Sequence, residues 1–296
     1  MKHTQTSAIN LPKDDAPHQS KMEWWYYNGR LQTKSGKQFS FHFATFVVNG
    51  LMSHVVNHVS LTDLQTGQHY IDQRRTAGNS SKDINRFSFD MGDWVMSGSG
   101  GVDRLKVSSK DFSFDLNLQS NIPAVVHGDN GLLHMGAAGS SYYYSRTRMS
   151  VSGTVKLSDS SETVDGMVWF DHQWGEFLTT QLTWDWFSLQ LDDGADVMLY
   201  NIKDKADKPI LVTGTDNAFK VRPKATWKST GTNISYPVEW QVNIPEKNIN
   251  INIRSVTNNN EFDAQLTTYN IYWEGAVNVR GSHSGQGFIE LNGYTR

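Results

Sequence analysis

The 296-residue chain contains no cysteine, which excludes a disulfide framework, a thiolate nucleophile and any cysteine metal site. That absence leaves the compartment open, because a chain without thiols suits a reducing or an oxidising one. Excess charge of either sign is also missing: 27 Lys and Arg stand against 30 Asp and Glu, a net −3 at pH 7. Such a balance gives no electrostatic footprint for nucleic acid or an anionic membrane. No run approaches the ~18 apolar residues of a membrane span. The opening "MKHTQTSAINLPKDDAPHQ" lacks the apolar middle of a signal peptide, so the cytoplasm is the expected location unless a leader has been removed. No long amphipathic helix is legible either; the short candidate lies around "SSKDINRF".

What the chain has in plenty is alternation. "QFSFHFATF" places Phe39, Phe41 and Phe43 on one face, and "DFSFDLNLQ" does the same with Phe112, Phe114, Leu116 and Leu118. "NINIRSV" sets Ile249, Ile251 and Ile253 against Asn250 and Asn252, and "NIYWEGAVNV" sets Ile271, Trp273 and Val277 against Tyr272, Glu274 and Asn278. A period of two is the signature of a half-buried strand. Twenty-four glycines and turn pairs such as Asn28-Gly29, Ser35-Gly36, Asp193-Gly194 and Asn292-Gly293 bound these runs, as short antiparallel strands require. "WFSLQLDDGADVMLYNI" reads as a single hairpin. Without strand–helix alternation a parallel sheet is excluded, and an all-β sandwich or barrel remains. The polar stretch "VKLSDSSETVDG", residues 155–166, predicts a boundary between domains 1–158 and 159–296.

Several motif tests are negative. No G-x-S-x-G elbow, P-loop or H-E-x-x-H occurs, and "SGSGG" at 97–101 has the wrong spacing for a dinucleotide fingerprint and reads as a turn. "HVVNH" puts His54 and His58 on one face, but no third ligand follows at metal spacing, so the pair reads as structural. "HGDNGLLH" at 127–134 reads as a connecting loop. Nothing calls for a cofactor or a metal.

Three aromatic stretches carry the chemistry. In "EWWYYNG", Glu23, Trp25 and Tyr27 share one face of a strand, and Trp24 and Tyr26 the other. A buried Glu23 must pair, accept hydrogen bonds or stay protonated. In "TWDWFSLQL", Trp184, Trp186, Ser188 and Gln190 alternate with Asp185, Phe187, Leu189 and Leu191. Indoles mixed with hydroxyl and amide groups suit a cavity lining. "GMVWFDHQWGEF" places His172 and Trp174 on one face with Phe170, and Trp169, Asp171 and Gln173 on the other. Four of the ten tryptophans fall between 169 and 186. Their rings either stabilise a cation or simply fill space.

Taken in order, "LPKDDAPH", "EWWYYNGRL", "GMVWFDHQWGEF", "WDWFSLQL", "YWEGAV" and "GFIELNGY" resemble the lipocalin-like superfamily of carotenoid 1,2-hydratases (hydroxyneurosporene synthases) and AttH-type proteins. Lipocalin-like Diels–Alderases share that fold. The resemblance spans about Pro12 to Tyr294. It implies two calycin-type antiparallel β-barrel or sandwich domains. It also implies that His172 and Trp174 occupy the hydratases' D-H-x-W positions. Their second motif, Tyr-x-Asp, falls at Tyr200-Asn201-Ile202, where the tyrosine is present and the aspartate is not.

The expected function is an enzyme acting on a hydrophobic terpenoid or polyene in an aromatic-lined cavity, by acid-initiated hydration or cyclisation of an alkene. The alternatives are a pericyclase, which needs a folded substrate and one polarising hydrogen bond, and a non-catalytic carrier. The candidate catalytic residues are His172, Trp174, Tyr200, Asp171 and Glu23. Those for ligand binding are Trp24, Tyr26, Trp184, Trp186, Gln190, Trp273 and Glu274. The expected partner is a hydrophobic small molecule.

Overall fold

The computed structural model describes residues 8–78, 81, 83–158, 160–215 and 218–295. As the alternation predicts, the chain is nearly all strand, and its strands form two curled antiparallel sheets. The first sheet contains β1 (Met22–Thr33), β2 (Gln38–Val48), β3 (His54–Asp63), β4 (His69–Ala77), β5 (Phe87–Asp90), β6 (Val95–Ser99), β7 (Val102–Ser108), β8 (Phe112–Ser120), β9 (Val125–Val126), β10 (Leu132–His134), β11 (Gly139–Leu157) and β12 (Ser160–Phe177). Its order is β4-β3-β2-β1-β12-β11-β8-β7-β6-β5, with β9 and β10 also on β11. The second contains β13 (Leu182–Leu191), β14 (Asp196–Asp204), β15 (Pro209–Gly214), β16 (Lys220–Lys228), β17 (Ser235–Ile244), β18 (Ile249–Ser255), β19 (Glu261–Ala264), β20 (Asn270–Gly281) and β21 (Gly285–Asn292). Its order is β15-β14-β13-β21-β20-β18-β17-β16, with β19 on β20. No helix among the described residues is long and apolar enough to cross a membrane.

Two compact units result: residues up to Leu61 with Tyr70–Phe177, and Thr62–His69 with the chain from Leu178. The boundary expected at 158 therefore moves to Phe177. Residues 155–166 are instead the two arms and turn of the β11–β12 hairpin, paired from Val155↔Glu162 to Leu157↔Ser160. A polar, small-residue stretch has the same composition whether it links domains or caps a hairpin. Two further expectations change. Among the described residues of "SSKDINRF" there is no helix; Ile84–Arg86 bend and Phe87 begins β5. Asn28-Gly29 is no turn but lies inside β1, where a Cβ on Gly29 would stand 2.6 Å from the Met167 carbonyl oxygen on β12. That glycine admits a close strand-to-strand approach.

Each unit has its own core. Phe39, Phe41 and Phe43 of β2 and Phe112, Phe114, Leu116 and Leu118 of β8 point into the first. Ile249, Ile251 and Ile253 of β18, with Phe187, Leu189 and Leu191 of β13, point into the second. Each such side chain contributes about 1.5–3 kcal/mol on burial. The first core differs from the second in what it encloses, for polar groups enter it from three neighbouring strands.

Candidate functional site

β1, β12 and β11 lie side by side, and their register builds a wall facing the first core. Across it run Glu23, Trp174 and Tyr142; then Trp25, His172 and Tyr144; then Tyr27, Phe170 and Arg146. Period-two alternation supplies all nine inward positions. On β11 the register shifts between Arg146 and Met149. That bulge lets an even-numbered arginine and an odd-numbered methionine both point inward, the use bulges commonly have beside functional sites.

A segment preceding β1 closes over this wall. It makes a single 3-10 turn at Lys13–Asp15 and delivers Asp15 and His18 to the interior. The buried Asp15 carboxylate accepts a short hydrogen bond from the Tyr144 hydroxyl, two from Arg146 Nη2 at 2.9 and 3.1 Å, and one from the Gly100 amide at 2.6 Å. Its carbonyl accepts from Trp25 Nε1 at 3.1 Å. Burial alone would lower the Arg146 pKa, yet Asp15 beside it leaves it raised, so the pair is ionic.

One turn further, Glu23 joins two imidazoles. Its Oε1 lies 2.7 Å from His18 Nδ1 and 2.8 Å from His172 Nε2, and its Oε2 accepts the His18 amide at 2.8 Å. Glu23 and His172 are fully buried, whereas His18 keeps partial exposure. His18 stacks flat on Trp174, with centroids 4.1 Å apart and planes at 2°. Trp25 stacks on the other imidazole, His172, at 4.4 Å. Burial pushes the His172 pKa below its ordinary value, against the upward pull of Glu23, so the ring rests neutral. With Nε2–H donating to the Glu23 carboxylate, Nδ1 carries the lone pair. It faces the Tyr144 hydroxyl at 3.3 Å, whose own proton is committed to Asp15. His172 thus presents an unprotonated nitrogen inside an aromatic enclosure, backed by a carboxylate.

The same trio supplies a donor set for a metal. One ligand atom each from His18, Glu23 and His172 lies within 4.8 Å of the others, and two imidazoles with a carboxylate suit zinc. Hydrogen bonds at 2.7 and 2.8 Å already join these atoms, and a metal would have to displace both protons.

Of the sequence-predicted residues, Glu23, His172 and Trp174 meet here. Asp171 points from the opposite face of β12. There it accepts Tyr143 Oη at 2.6 Å, Trp169 Nε1 at 2.7 Å and a short bond from Ser145, whose Oγ in turn lies 2.7 Å from His127 Nε2. Burial raises Asp171 to about 7 and lowers His127 to about 3. Trp24 and Tyr26 share that opposite face, Tyr26 directly across from Asp171. Tyr200, Trp184, Trp186, Gln190 and Glu274 belong to the second unit, on the sheet face that does not line its core. Trp186 pairs across β13–β14 with Tyr200, and Trp184 Nε1 donates to Glu290 at 3.1 Å. Trp273, expected at a ligand, is instead fully buried in the second core and donates to the Asn258 carbonyl at 2.7 Å. Strand alternation does not single out Asp15, His18, Tyr144 or Arg146. Asp15 and His18 stand in "LPKDDAPH", whose doublet of acids beside a histidine was the one available signal.

Comparison with known proteins is consistent along the whole chain. The AttH-like family model matches residues 2–294. A protein from Nitrosomonas europaea described as an AttH, solved at 2.00 Å resolution, is 29% identical, with 98% of each chain covered and a TM-score of 0.87. Kievitone hydratase from Nectria haematococca superposes with a TM-score of 0.72 at 17% identity, covering 98% of this chain and 93% of that one; at that identity the likeness shows the fold alone. Dehydratase asqC of Emericella nidulans is 25% identical over 213 residues, 64% of this chain and 60% of its own length. Kievitone hydratase of Fusarium solani subsp. phaseoli is 21% identical over 209 residues, 64% and 59%. The chain spans about three fifths of the length of these last two relatives.

Proposed function

Because the chain belongs to the AttH-like family, whose relatives here include a dehydratase and a hydratase, we propose that it adds water to, or eliminates water from, a largely apolar small molecule by acid–base catalysis inside the first unit. The observation that carries this reading is the His172–Glu23 contact of 2.8 Å, buried on both sides and walled by Trp25, Trp174 and Tyr144. A neutral imidazole with a carboxylate on one nitrogen and a lone pair on the other is a general base held in one tautomer.

In elimination, His172 Nδ1 takes the proton next to the carbon that bears the hydroxyl. In addition, the protonated His172 returns that proton to carbon as water adds to the neighbouring carbon. Glu23 stabilises the imidazolium that forms, and the indole faces of Trp25 and Trp174 fix its plane and favour its charge. The hydratases' Tyr-x-Asp motif falls at Tyr200-Asn201-Ile202, where the aspartate is missing, but a tyrosine and an aspartate do come together beside His172 in this unit. Tyr144, bonded to Asp15, meets His172.

Turnover of kievitone in heavy-oxygen water tests the reading. Label in the product reports water addition, and an unlabelled isomer reports cyclisation or a pericyclic step instead. His172→Ala should lower kcat by about 10²–10⁴-fold, the usual reach of a positioned base. A pericyclase would lose little, and a carrier would bind without converting. Full activity in His172→Ala would refute the site.

A further inference from the structure

The first core contains a third carboxyl, besides Glu23 and Asp15, that the reaction above leaves unused. On β7, Val102, Arg104, Lys106 and Ser108 are exposed while Asp103, Leu105 and Val107 are buried. Alternation therefore drives one acid into an apolar interior. Asp103 Oδ2 accepts the Tyr27 hydroxyl at 2.9 Å, and Oδ1 is buried without a hydrogen-bond partner. Directly across the β6–β7 ladder stands Gly98. A Cβ on Gly98 would lie 1.8 Å from Oδ1 and 2.7 Å from the tip of Phe87. The space that a side chain would fill is occupied by the carboxyl, so the strand opposite is shaped around an acid.

Asp15, in the same interior, offers the contrast. It is met by Arg146, Tyr144 and the Gly100 amide, whereas Asp103 has one hydroxyl as its hydrogen-bond partner. The titratable groups that act on Asp103 are Tyr27 of β1, Arg146 and Tyr144 of β11, Asp15 of the preceding turn, and Arg86 before β5. Burial outweighs the pull of Tyr27 and Arg146 and raises Asp103 to about 7, so it holds its proton through mildly acidic pH.

We propose that Asp103 is the acid of the water-transfer reaction, acting through the Tyr27 hydroxyl, which stands on the wall one row from His172 and beside Phe170. The proposal rests on the reading of His172 as base. Tyr27 is the group that touches substrate, and Asp103 is the positioning acid behind it. In elimination, His172 Nδ1 takes the carbon-bound proton and the electron pair forms the double bond. With Asp103 protonated on Oδ2, the 2.9 Å hydrogen bond is reversed, the carboxyl donates to the Tyr27 oxygen and the phenol proton is free; the carbon–oxygen bond breaks, and the departing hydroxyl takes the Tyr27 proton as Asp103 replaces it. An alkene and water leave. The protein ends with one proton more on His172 and one fewer on Asp103; His172 loses its extra proton to solvent through Glu23 and the part-exposed His18, and Asp103 regains one through Tyr27 from the water that refills the site. Addition runs the same path in reverse.

The test compares the full chain with Asp103→Asn and Tyr27→Phe in two measurements between pH 5 and 9. The first is the infrared carbonyl band of protonated carboxyls in the resting protein. The second is kcat and KM in the turnover assay above. A component of the band that fades around pH 7 in the native chain, persists in Asp171→Asn, is missing in Asp103→Asn and is shifted in Tyr27→Phe supports the proposal. So does a kcat at least ~100-fold lower in both variants with KM little changed, accompanied by loss of the descending limb near pH 7. A purely structural Asp103 would alter folding yield but not that limb. If Asp103→Asn does not fold, Tyr27→Phe, which deletes a single hydroxyl, carries the comparison. No Asp103 band at pH 6, or variants with native kcat and limb, overturns the proposal. A native chain inert towards the assay compound refutes the functional reading on its own terms, and the presence or absence of the band then decides for or against Asp103.

Discussion

Replacing Arg146 by methionine should be among the most destabilising single changes in the first unit. The Arg146 and Asp15 side chains are 7% and 1% exposed, so little water reaches either charge. At about 3 Å and an effective dielectric near 20, two unit charges attract by roughly 5 kcal/mol, and that attraction offsets the cost of burying them. Arg146→Met removes it while leaving Asp15 inside with the Tyr144 hydroxyl and the Gly100 amide as remaining donors. An orphaned buried charge costs about 3–5 kcal/mol. The second variant of the cycle makes the cause visible. Asp15→Asn in the Arg146→Met background removes the orphan, and about half of the loss or more should return, because replacing both members of a buried pair is often close to neutral. Amide hydrogen exchange along β1, β11 and β12 under mild urea reads the first unit separately from the second. A loss below about 1 kcal/mol in Arg146→Met, or no recovery in the double variant, would refute the ionic account and recast Arg146 as an apolar stem packed on Tyr144.

Two further outcomes follow from the buried acids. Asp171 has its pKa raised from 3.8 to about 7. Between those values the folded state binds more protons than the unfolded one, so its contribution is complete below about pH 4 and is lost as pH rises through 7. Native stability relative to Asp171→Asn should therefore fall by up to roughly 4 kcal/mol from pH 4 to 8; denaturant midpoints that hold a constant gap, or one widening in favour of the native chain, contradict this. In the second unit, Tyr294 donates to Asp185 at 2.7 Å, and burial raises Asp185 while that bond restrains the rise. Tyr294→Phe should cost about 1.5–3 kcal/mol, more at neutral than at acid pH, read by thermal melts at both; a pH-independent loss would show that Asp185 is not the group affected.

How far the sequence foretold this differs between fold and site. Strand alternation is a local signal, so the spacing of Phe39, Phe41 and Phe43, and of Ile249, Ile251 and Ile253, is enough to give their inward faces. The same logic placed His172 and Trp174 on one face and Asp171 on the other. Alternation is silent about pairing, however. Glu23 and His172 are 149 residues apart, and nothing local says that β1 lies against β12. Nor does it say what enters from outside the strands, which is why Asp15 and His18 were missed. Asn28-Gly29 misled for a related reason: glycine serves a tight turn and a close interstrand approach equally well, and the second use is visible only once the neighbour is known. The boundary at residues 155–166 failed because hairpin tips and linkers are both solvated and so draw on the same residues.

The segment that carries Asp15 and His18 also bears on how the chain is made. It leaves the ribosome before the strands it must close upon, for Tyr144, Arg146 and His172 follow more than a hundred residues later. Until β11 and β12 emerge, Glu23 and Asp15 have none of these three partners, and β1 waits with one edge of its ladder unpaired. Vectorial synthesis at about 5–20 residues per second leaves that edge open for several seconds. Exposed strand edges at that stage invite intermolecular pairing. Yield in cells should thus depend on translation speed through residues 139–177 more than on codons elsewhere, with chaperones that hold apolar strands acting on nascent chains shorter than this length.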